Sequence, residues 1–368
     1  MRTISNALYL NKLFFLLNRK KQQLPLLLFI CAAFVFSSLT SKGQVSEIKL
    51  DDIASFGKFK QFDKKIYIAE FTVNYQVLYE SKKSKQAGTF GVGGHYKSSS
   101  EARGALGLKD MSTEMLQKMT DDLYTRYINK LKENGFEIMT ADQAANVSAY
   151  QNMEQGTGGE PYVGYPGTVS CIPTGFTYYY NTGLIKEKVG KIIDKTPSIS
   201  KDLNDAIVAK VCLNVQFAQA GQQLIKYGSS VKMKTNLALV QNLVTSEIAE
   251  SKGLSFKKND MESISSHVTF MAGKKMASAE ASYNGTIKKD IKIEGVIKDE
   301  KVNAFASGNT IASGYQMVGT SYAILFYEKD VDKDLKEVEV DLPKYEQYVG
   351  EALDKVLIGH TDIFLSKL

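Results

Sequence analysis

Residues 205–219 read DAIVAKVCLNVQFAQ, and this stretch carries the clearest signal of the fold. Apolar Val211, Leu213 and Val215 alternate there with Lys210, Cys212, Asn214 and Gln216. An alternation of period two places apolar side chains on one face of a strand and the remaining ones on the other. Residues 229–240, SSVKMKTNLALV, repeat the pattern. Strands with one buried and one polar face are typical of an antiparallel meander.

The region before this meander predicts a strand followed by a helix. Residues 64–80, KKIYIAEFTVNYQVLYE, are dense in β-branched and aromatic side chains, which favours a long strand. The helix follows Ser112, a good N-cap residue, and stops before Gly135. Its apolar stripe, at helical spacing, consists of Leu116, Met119, Leu123, Tyr127 and Leu131.

Two further features complete a strand–helix–strand–helix start. Residues 136–139, FEIM, predict a short second strand. Residues 140–143, TADQ, match a capping box and predict a second helix that continues to about Met153.

The second half of the chain predicts more strands and a closing helix. Strands are expected at 265–271, 291–298 and 320–328. The closing helix is amphipathic, and its apolar positions are Tyr345, Tyr348, Val349, Ala352, Leu353, Val356 and Leu357. The sequence therefore predicts an α/β fold of the α+β kind. A mixed or largely antiparallel sheet is flanked by an N-terminal helix pair and a C-terminal amphipathic helix.

The first 43 residues predict a signal peptide. Residues 24–39 are an apolar run of 16 residues that follows a basic segment. This run is shorter than the roughly 20 residues that span a bilayer comfortably. Small Ser41 and Gly43 occupy the positions that a signal peptidase requires. We therefore expect cleavage after Gly43 and a single exported domain at 44–368, periplasmic or secreted, with retention of the leader as an anchor as the alternative.

The charge balance argues against nucleic-acid binding. The chain has 46 basic and 40 acidic residues, and its net charge of +6 arises in residues 1–43, which contain no acidic residue. The rest of the chain is formally neutral, so it exerts no general attraction on phosphate backbones.

Two glycine-rich stretches, 81–111 and 154–183, are predicted to be loops. The first contains Gly91 and Gly93, as a dinucleotide-binding turn would, but Tyr96 stands where the third glycine is needed. We interpret this stretch as a polar arm, with His95 and Tyr96 as candidate partner-binding residues.

The second loop is rich in tyrosine. Its candidate partner-binding residues are Tyr162, Tyr165, Tyr178 and Tyr179. Exposed tyrosines stack on sugars or line protein interfaces, and the alternative is that these rings pack within the loop itself.

Metal, disulfide and cofactor sites have little support. Asp330, Asp332 and Asp334 match the first three ligand positions of a calcium loop, but Leu335 occupies the position that needs glycine, so a solvated hairpin is favoured over calcium. Cys171 and Cys212 could form a disulfide in an oxidising compartment or remain buried thiols. No spacing of histidines or cysteines requires a metal, and no cofactor is predicted.

The order of elements resembles that of the CsgG-like bacterial envelope proteins, which include the curli-secretion lipoprotein and penicillin-binding-protein activators. The resemblance rests on ENGFEIMTADQAA (133–145), DAIVAKVCLNVQF (205–217), SYAILFY (321–327) and YEQYVGEALDKVLI (345–358). It implies a periplasmic, non-catalytic α/β module that works through partners. The sequence departs from the curli lipoprotein because Ile30 precedes Cys31, where a lipidation signal has a small residue.

From the sequence we expect an exported, non-catalytic cell-envelope protein that acts through contacts with envelope or secreted proteins. One alternative is a membrane-associated assembly or pore component, with lipid-facing hairpins at 265–298. The other is a carbohydrate-active enzyme, which would need a pair of converging carboxylates. The oligomeric state stays open.

Overall fold

The computed structural model describes residues 44–86, 99–180, 194–220, 230–246, 250–251, 254–255, 264–276, 278–298, 301–305 and 335–368. The predicted signal peptide at 1–43, the predicted strand at 320–328 and the calcium candidates Asp330, Asp332 and Asp334 lie outside these ranges, as do His95 and Tyr96. Residues 44–368 make up one compact unit.

The strands are β1 (Gln44–Val45), β2 (Leu50–Asp52), β3 (Lys65–Gln76), β4 (Leu78–Gln86), β5 (Ser99–Leu108), β6 (Glu137–Met139), β7 (Glu154–Thr157), β8 (Tyr162–Tyr165), β9 (Thr168–Cys171), β10 (Thr177–Tyr180), β11 (Ile207–Ala220), β12 (Ser230–Val240), β13 (Asn242–Leu243), β14 (Glu250–Ser251), β15 (Leu254–Ser255), β16 (Ile264–Ser265), β17 (His267–Ala272), β18 (Ala281–Ile287), β19 (Ile291–Glu294), β20 (Lys301–Phe305) and β21 (Leu335–Val338). The α-helices are α1 (Thr113–Glu133), α2 (Thr196–Asp202) and α3 (Leu342–Leu365). Single 3-10 turns occur at Phe59–Gln61 and Ser148–Tyr150.

Strand β11 lies at the centre of the main sheet. It pairs in parallel with β3 on one side. On its other side it pairs antiparallel with β17 along its first half and with β12 along its second half. Strands β18 and β2 extend the sheet beyond β17, and β19 and β1 extend it beyond β12. The sheet is thus mixed with mostly antiparallel pairs, and the predicted α+β class is confirmed.

Helices α1 and α3 cover one face of this sheet and pack against each other. We call this face the helix face. It receives the apolar side chains of the alternating pattern, including Val211, Leu213 and Val215 of β11. Ser112 caps α1 through its side chain, which accepts a hydrogen bond from Met115 N at 3.1 Å. The apolar stripes predicted for α1 and α3 are buried there, apart from Tyr348, which is half-buried.

The opposite face, which we call the open face, is covered at its two ends by residues that the structure describes. At one end, α2 and residues 144–150 bury a second apolar cluster against Tyr67 and Val208. At the other end, the β13–β16 ribbon and residues 244–246 lie over the second half of β11. The stretch between these covers is half-exposed in β3, β11 and β17.

The two predicted glycine-rich loops contain strands, which corrects their extent. In 81–111, strands β4 and β5 form a long antiparallel hairpin, and β5 also pairs with β21. In 154–183, strand β7 pairs with β10, and β8 pairs with β9. Glycine content suggested loops, but these segments form strands through cross-strand pairing, both local, as between Tyr165 and Thr168, and distant, as between Ala105 and Leu335.

The predicted second helix at 140–153 is wrong, so the predicted N-terminal helix pair does not form, and α1 packs against the C-terminal helix α3 instead. One half of the capping box does form, since Thr140 N donates to Gln143 Oε1 at 2.7 Å. Beyond it the chain runs through turns; Ala144 and Val147 keep a helical spacing, but the buried Ala149 comes two residues after Val147 and does not follow it. Asp202 fixes the last turn by accepting from Ser148 N at 2.8 Å.

Cys171 and Cys212 are free and buried, so the possible disulfide is not formed. Cys171 pairs with Val73 of β3, whereas Cys212 pairs with Thr72. Paired residues share a face and successive residues of a strand face opposite sides. The two thiols consequently lie on opposite faces of the sheet with β3 between them, which a disulfide cannot bridge.

Candidate functional site

The middle of the open face presents a row of polar side chains. Glu70 of β3, Lys210 of β11 and His267 of β17 are all partly accessible. Glu70 Oε2 lies 4.0 Å from His267 Nε2 above the central strand. Lys210 Nζ donates to Asp194 Oδ1 at 3.1 Å. Burial alone would raise the pKa of Asp194, but the charge of Lys210 and the hydrogen bonds from Thr196 and Lys210 outweigh it, so this pKa is lowered.

A β-bulge brings two of the predicted tyrosines onto this face. Tyr162 pairs with Ser170 and Tyr165 with Thr168, with an irregular register between them. A regular strand would place residues three apart on opposite faces, and the bulge removes that difference. Gly164 is required at the bulge, because a Cβ there would lie 2.1 Å from Ser170 Oγ.

The β7–β10 ribbon supplies the third tyrosine. Tyr178 lies over Gly156, where an added Cβ would come within 2.5 Å of its ring, and Tyr180 is its neighbour at 5.8 Å between ring centroids. Tyr179 points to the other side of the ribbon and stacks on Tyr150 at 4.0 Å. The structure therefore separates Tyr179 from the other candidates and gives it an anchoring contact.

We call Tyr162, Tyr165, Tyr178 and Glu70 the tyrosine surface. Partial burial raises the pKa of Tyr162, and the neighbouring Tyr165, Tyr178 and Glu70 raise it further. Burial also raises the pKa of Tyr165 to about 12. The phenols of Tyr162 and Tyr165 are therefore neutral at physiological pH and can both donate and accept hydrogen bonds. Tyr162 is 42% exposed, so its ring is accessible to a partner.

Cys212 lies beneath this surface, opposite His267 on the paired strand. A cysteine, a histidine and a carboxylate on one face are the residue types of a nucleophilic site. Burial raises the pKa of the Cys212 thiol well above its ordinary value, and the charge of Glu70 adds to the effect. The thiol is therefore protonated, and Asn74 Nδ2 contacts its sulfur at 3.4 Å. This arrangement does not activate Cys212 as a nucleophile.

A buried polar network supports the tyrosine surface from below. Asn74 Nδ2 donates to Asn214 Oδ1 at 2.8 Å, and Ser170 Oγ donates to Asn74 Oδ1 at 2.6 Å. Asn214 Nδ2 in turn donates to the Ile264 carbonyl at 2.9 Å. Because each amide group has a partner, these buried side chains fix the position of β9, the strand that pairs with β8, and of the β13–β16 ribbon relative to β3.

A cavity of about 340 Å³ opens at an interruption in the sheet. Strand β6 pairs with residues 65–67 of β3 and β9 pairs with residues 73–76, so the same edge of β3 has no described strand partner at 68–72. The cavity lies beside Ile68 and is lined by Tyr67, Ile68, Tyr124, Ile138, Met139, Thr140, Ala141, Asp142, Gly175, Phe176 and Thr177. Nothing in the sequence alone indicated it.

Three further observations concern the ranges that the structure describes. There, no three histidine, cysteine or acidic side chains are close enough to hold a metal ion. None of the described helices combines the length and apolar character needed to cross a membrane. His360 is buried in the core and shares a hydrogen bond of 2.7 Å with the Tyr283 hydroxyl, so its role is structural.

Comparisons with protein families, with curated proteins and with solved structures found no match to this chain.

Sequence reasoning identified the tyrosines of this site and missed the groups around them. Glu70, Lys210 and His267 belong to three strands that are far apart in the chain, and only the sheet register brings them together. A signal was present in β3, where Glu70, Thr72 and Asn74 alternate with Phe71, Val73 and Tyr75. That alternation predicts a second, polar face of the strand.

Proposed function

We propose that this protein is exported and acts in the cell envelope as a non-catalytic binding protein. Its contact with a protein partner is made through the tyrosine surface. The single observation that carries the proposal is that three tyrosines from two separate strand pairs converge on one accessible face. Tyrosine is enriched in interfaces because a large, rigid ring with a polar end gives contact area at little entropic cost.

The buried hydrogen-bond network beneath the tyrosine rings favours a binding role over the alternative that these rings only pack within their own segment. The side chains of the buried network are hydrogen-bonded, so the surface is rigid before a partner arrives. A preorganised surface loses less conformational entropy on association. Glu70 and His267 provide polar groups beside the rings, as the rim of an interface does.

The two alternative functions receive less support. The apolar side chains of β17 and β18, including Val268, Phe270 and Tyr283, belong to the core that α3 covers, so they do not form a lipid-facing surface. Among the described residues, Glu70 is the carboxylate beside the tyrosine rings, while Asp194 is paired with Lys210 and Glu154 with Tyr180; a glycosidase needs two carboxylates that converge on one point.

Site-specific photo-cross-linking tests the proposed contact. A photoreactive phenylalanine analogue replaces Tyr162 in the full chain, produced in its own host, and the matched control carries it at Gln347, an exposed position on α3. We expect one discrete adduct, containing the same envelope protein in repeated preparations, from position 162 and none from position 347. Equal adduct patterns from both positions would reject the tyrosine surface as the binding face.

Export has an independent test. N-terminal sequencing of the protein purified from its host is expected to begin at Gln44, because cleavage is predicted after Gly43. A chain that still begins at Met1 and remains in the cytosolic fraction would contradict the proposal on export and leave the binding surface to be judged by cross-linking.

A further inference from the structure

The cavity beside β3 is lined in part by aromatic side chains. Three aromatic residues, Tyr67, Tyr124 and Phe176, are among the residues that line it. Tyr124 meets Phe176 edge-on at 5.7 Å and Phe71 edge-on at 5.0 Å, so its ring is held in place. Burial raises the pKa of Tyr124 to about 12, which keeps this ring a neutral phenol.

The cavity has an acidic group and no basic one. Asp142 is the charged residue among the lining side chains, and neither lysine nor arginine is present in the lining. Its side chain is exposed, and no hydrogen bond or ion pair links its carboxylate to another residue in the described part of the chain. A carboxylate without a counter-charge beside aromatic rings favours a cation, because the faces of such rings carry partial negative charge.

Hydrogen bonds within the protein hold both walls of the cavity in position without a ligand. Asp121 holds the 173–175 turn, because its two carboxylate oxygens accept from Thr174 N and Thr174 Oγ1, each at 2.8 Å. Gln117 Nε2 donates to the same carboxylate at 2.9 Å. On the opposite wall, the bond from Thr140 N to Gln143 fixes the turn that carries Asp142. A preformed cavity of about 340 Å³ is at the lower end of the size range of small-molecule sites, about 300–1,000 Å³.

We propose that this cavity binds a small organic ammonium cation, with the aromatic wall around its alkyl groups and Asp142 opposite its charge. This inference is separate from the proposed partner contact, since none of the four residues of the tyrosine surface lines the cavity. In this proposal the ligand enters between β6 and β9, at the edge of β3 over 68–72 that has no strand partner among the described residues.

Calorimetric titration of the purified full chain with choline tests the proposal. The comparison probe is 3,3-dimethyl-1-butanol, which has the same shape as choline without its charge. We expect saturable binding of one choline per chain and at least about tenfold weaker binding of the neutral alcohol, as expected from a cation–π contact supported by a carboxylate. No choline binding, or equal binding of the two probes, would overturn the proposal.

Substitutions connect the binding to the cavity. Asp142→Asn is expected to weaken choline binding about three- to tenfold, and Tyr124→Phe is expected to preserve it because the ring face remains. The matched control is Asp122→Asn, which removes an exposed carboxylate of α1 that pairs with Lys118 away from the cavity. Equal choline affinities of the Asp142→Asn and Asp122→Asn variants would assign any choline binding to another place and contradict the proposal.

Discussion

Gly164 shows how one small residue sets the position of the tyrosine surface. The space that its missing Cβ leaves is occupied by the Ser170 hydroxyl, which donates to Asn74 in the buried network. The bulge at Gly164 also places Tyr162 and Tyr165 on the same face. The residue thus links the backbone irregularity, the polar network and the accessible rings.

Gly164→Ala is expected to lower the free energy of unfolding by about 1–3 kcal/mol, because the new methyl group must displace Ser170 from its bond to Asn74. The matched substitution is Gly350→Ala in α3, where a Cβ meets nothing within 4 Å. There alanine should stabilise the protein by about 0.5–1 kcal/mol through helix propensity. Urea denaturation measures both variants, and a destabilisation by Gly350→Ala equal to that of Gly164→Ala would contradict this account.

His360 is expected to make the free energy of unfolding depend on pH. Burial lowers the pKa of its imidazole to about 4, from an ordinary value of about 6.5. The neutral form is therefore favoured by folding, and its stabilisation is fully present above pH 6.5 and lost as the pH falls toward 4. We expect a loss on the order of 3 kcal/mol across this window.

His360→Gln should remove most of that dependence between pH 6.5 and 4, because glutamine keeps a polar group near Tyr283 and does not titrate. Chemical denaturation at several pH values measures the effect. An unchanged pH slope in the variant would show that other groups are responsible for the acid sensitivity.

At the scale of elements, helices α1 and α3 are matched by charge as well as by their apolar stripes. Lys118, Arg126 and Lys130 of α1 pair with Glu346, Asp354 and Asp362 of α3 at 2.6–2.7 Å. The pairs advance in the same direction along both helices, so the helices run parallel. Because these side chains are 30–63% exposed, each pair contributes at most about 1 kcal/mol.

Arg126→Glu is expected to lower stability by roughly 1 kcal/mol, since it replaces an attraction to Asp354 by a repulsion. The double variant Arg126→Glu with Asp354→Arg should recover most of this loss, and 1 M salt should reduce the difference. Lys132→Glu, at an exposed position of the same helix, is the control with little effect. Failure of the double variant to recover stability would show that packing, and not charge, determines the effect of the single change.

The elements that the sequence predicted well are those whose signals are local. The stripe and cap of α1 and the alternation in β11 specify these elements without reference to the rest of the chain. The helix predicted at 140–153 is wrong because the path of this segment is determined by distant contacts. Its capping residues are local and form their bond, but burial of Ala144 and Val147 against β3 and β11 determines its path. Tertiary contacts override a weak helical preference.

At the scale of the whole molecule, the two faces of the sheet differ in what covers them. The helix face holds the main core, and the open face carries the tyrosine surface between its two covers. The α+β class follows from patterns in the sequence, whereas the convergence of Tyr162 with Tyr178 depends on two strand pairs and a bulge. The cavity depends on the break between β6 and β9, which no single segment encodes.

The most direct test of the central claim is the affinity of the cross-linked partner, once identified, for the purified full chain and its variants. Tyr162→Ala and Tyr178→Ala are each expected to weaken binding at least about tenfold, as central aromatic residues of an interface do, with unchanged unfolding transitions. Gln347→Ala on the opposite face should leave the affinity unchanged. Wild-type affinity in both tyrosine variants would contradict the claim that the tyrosine surface is the binding face of this protein.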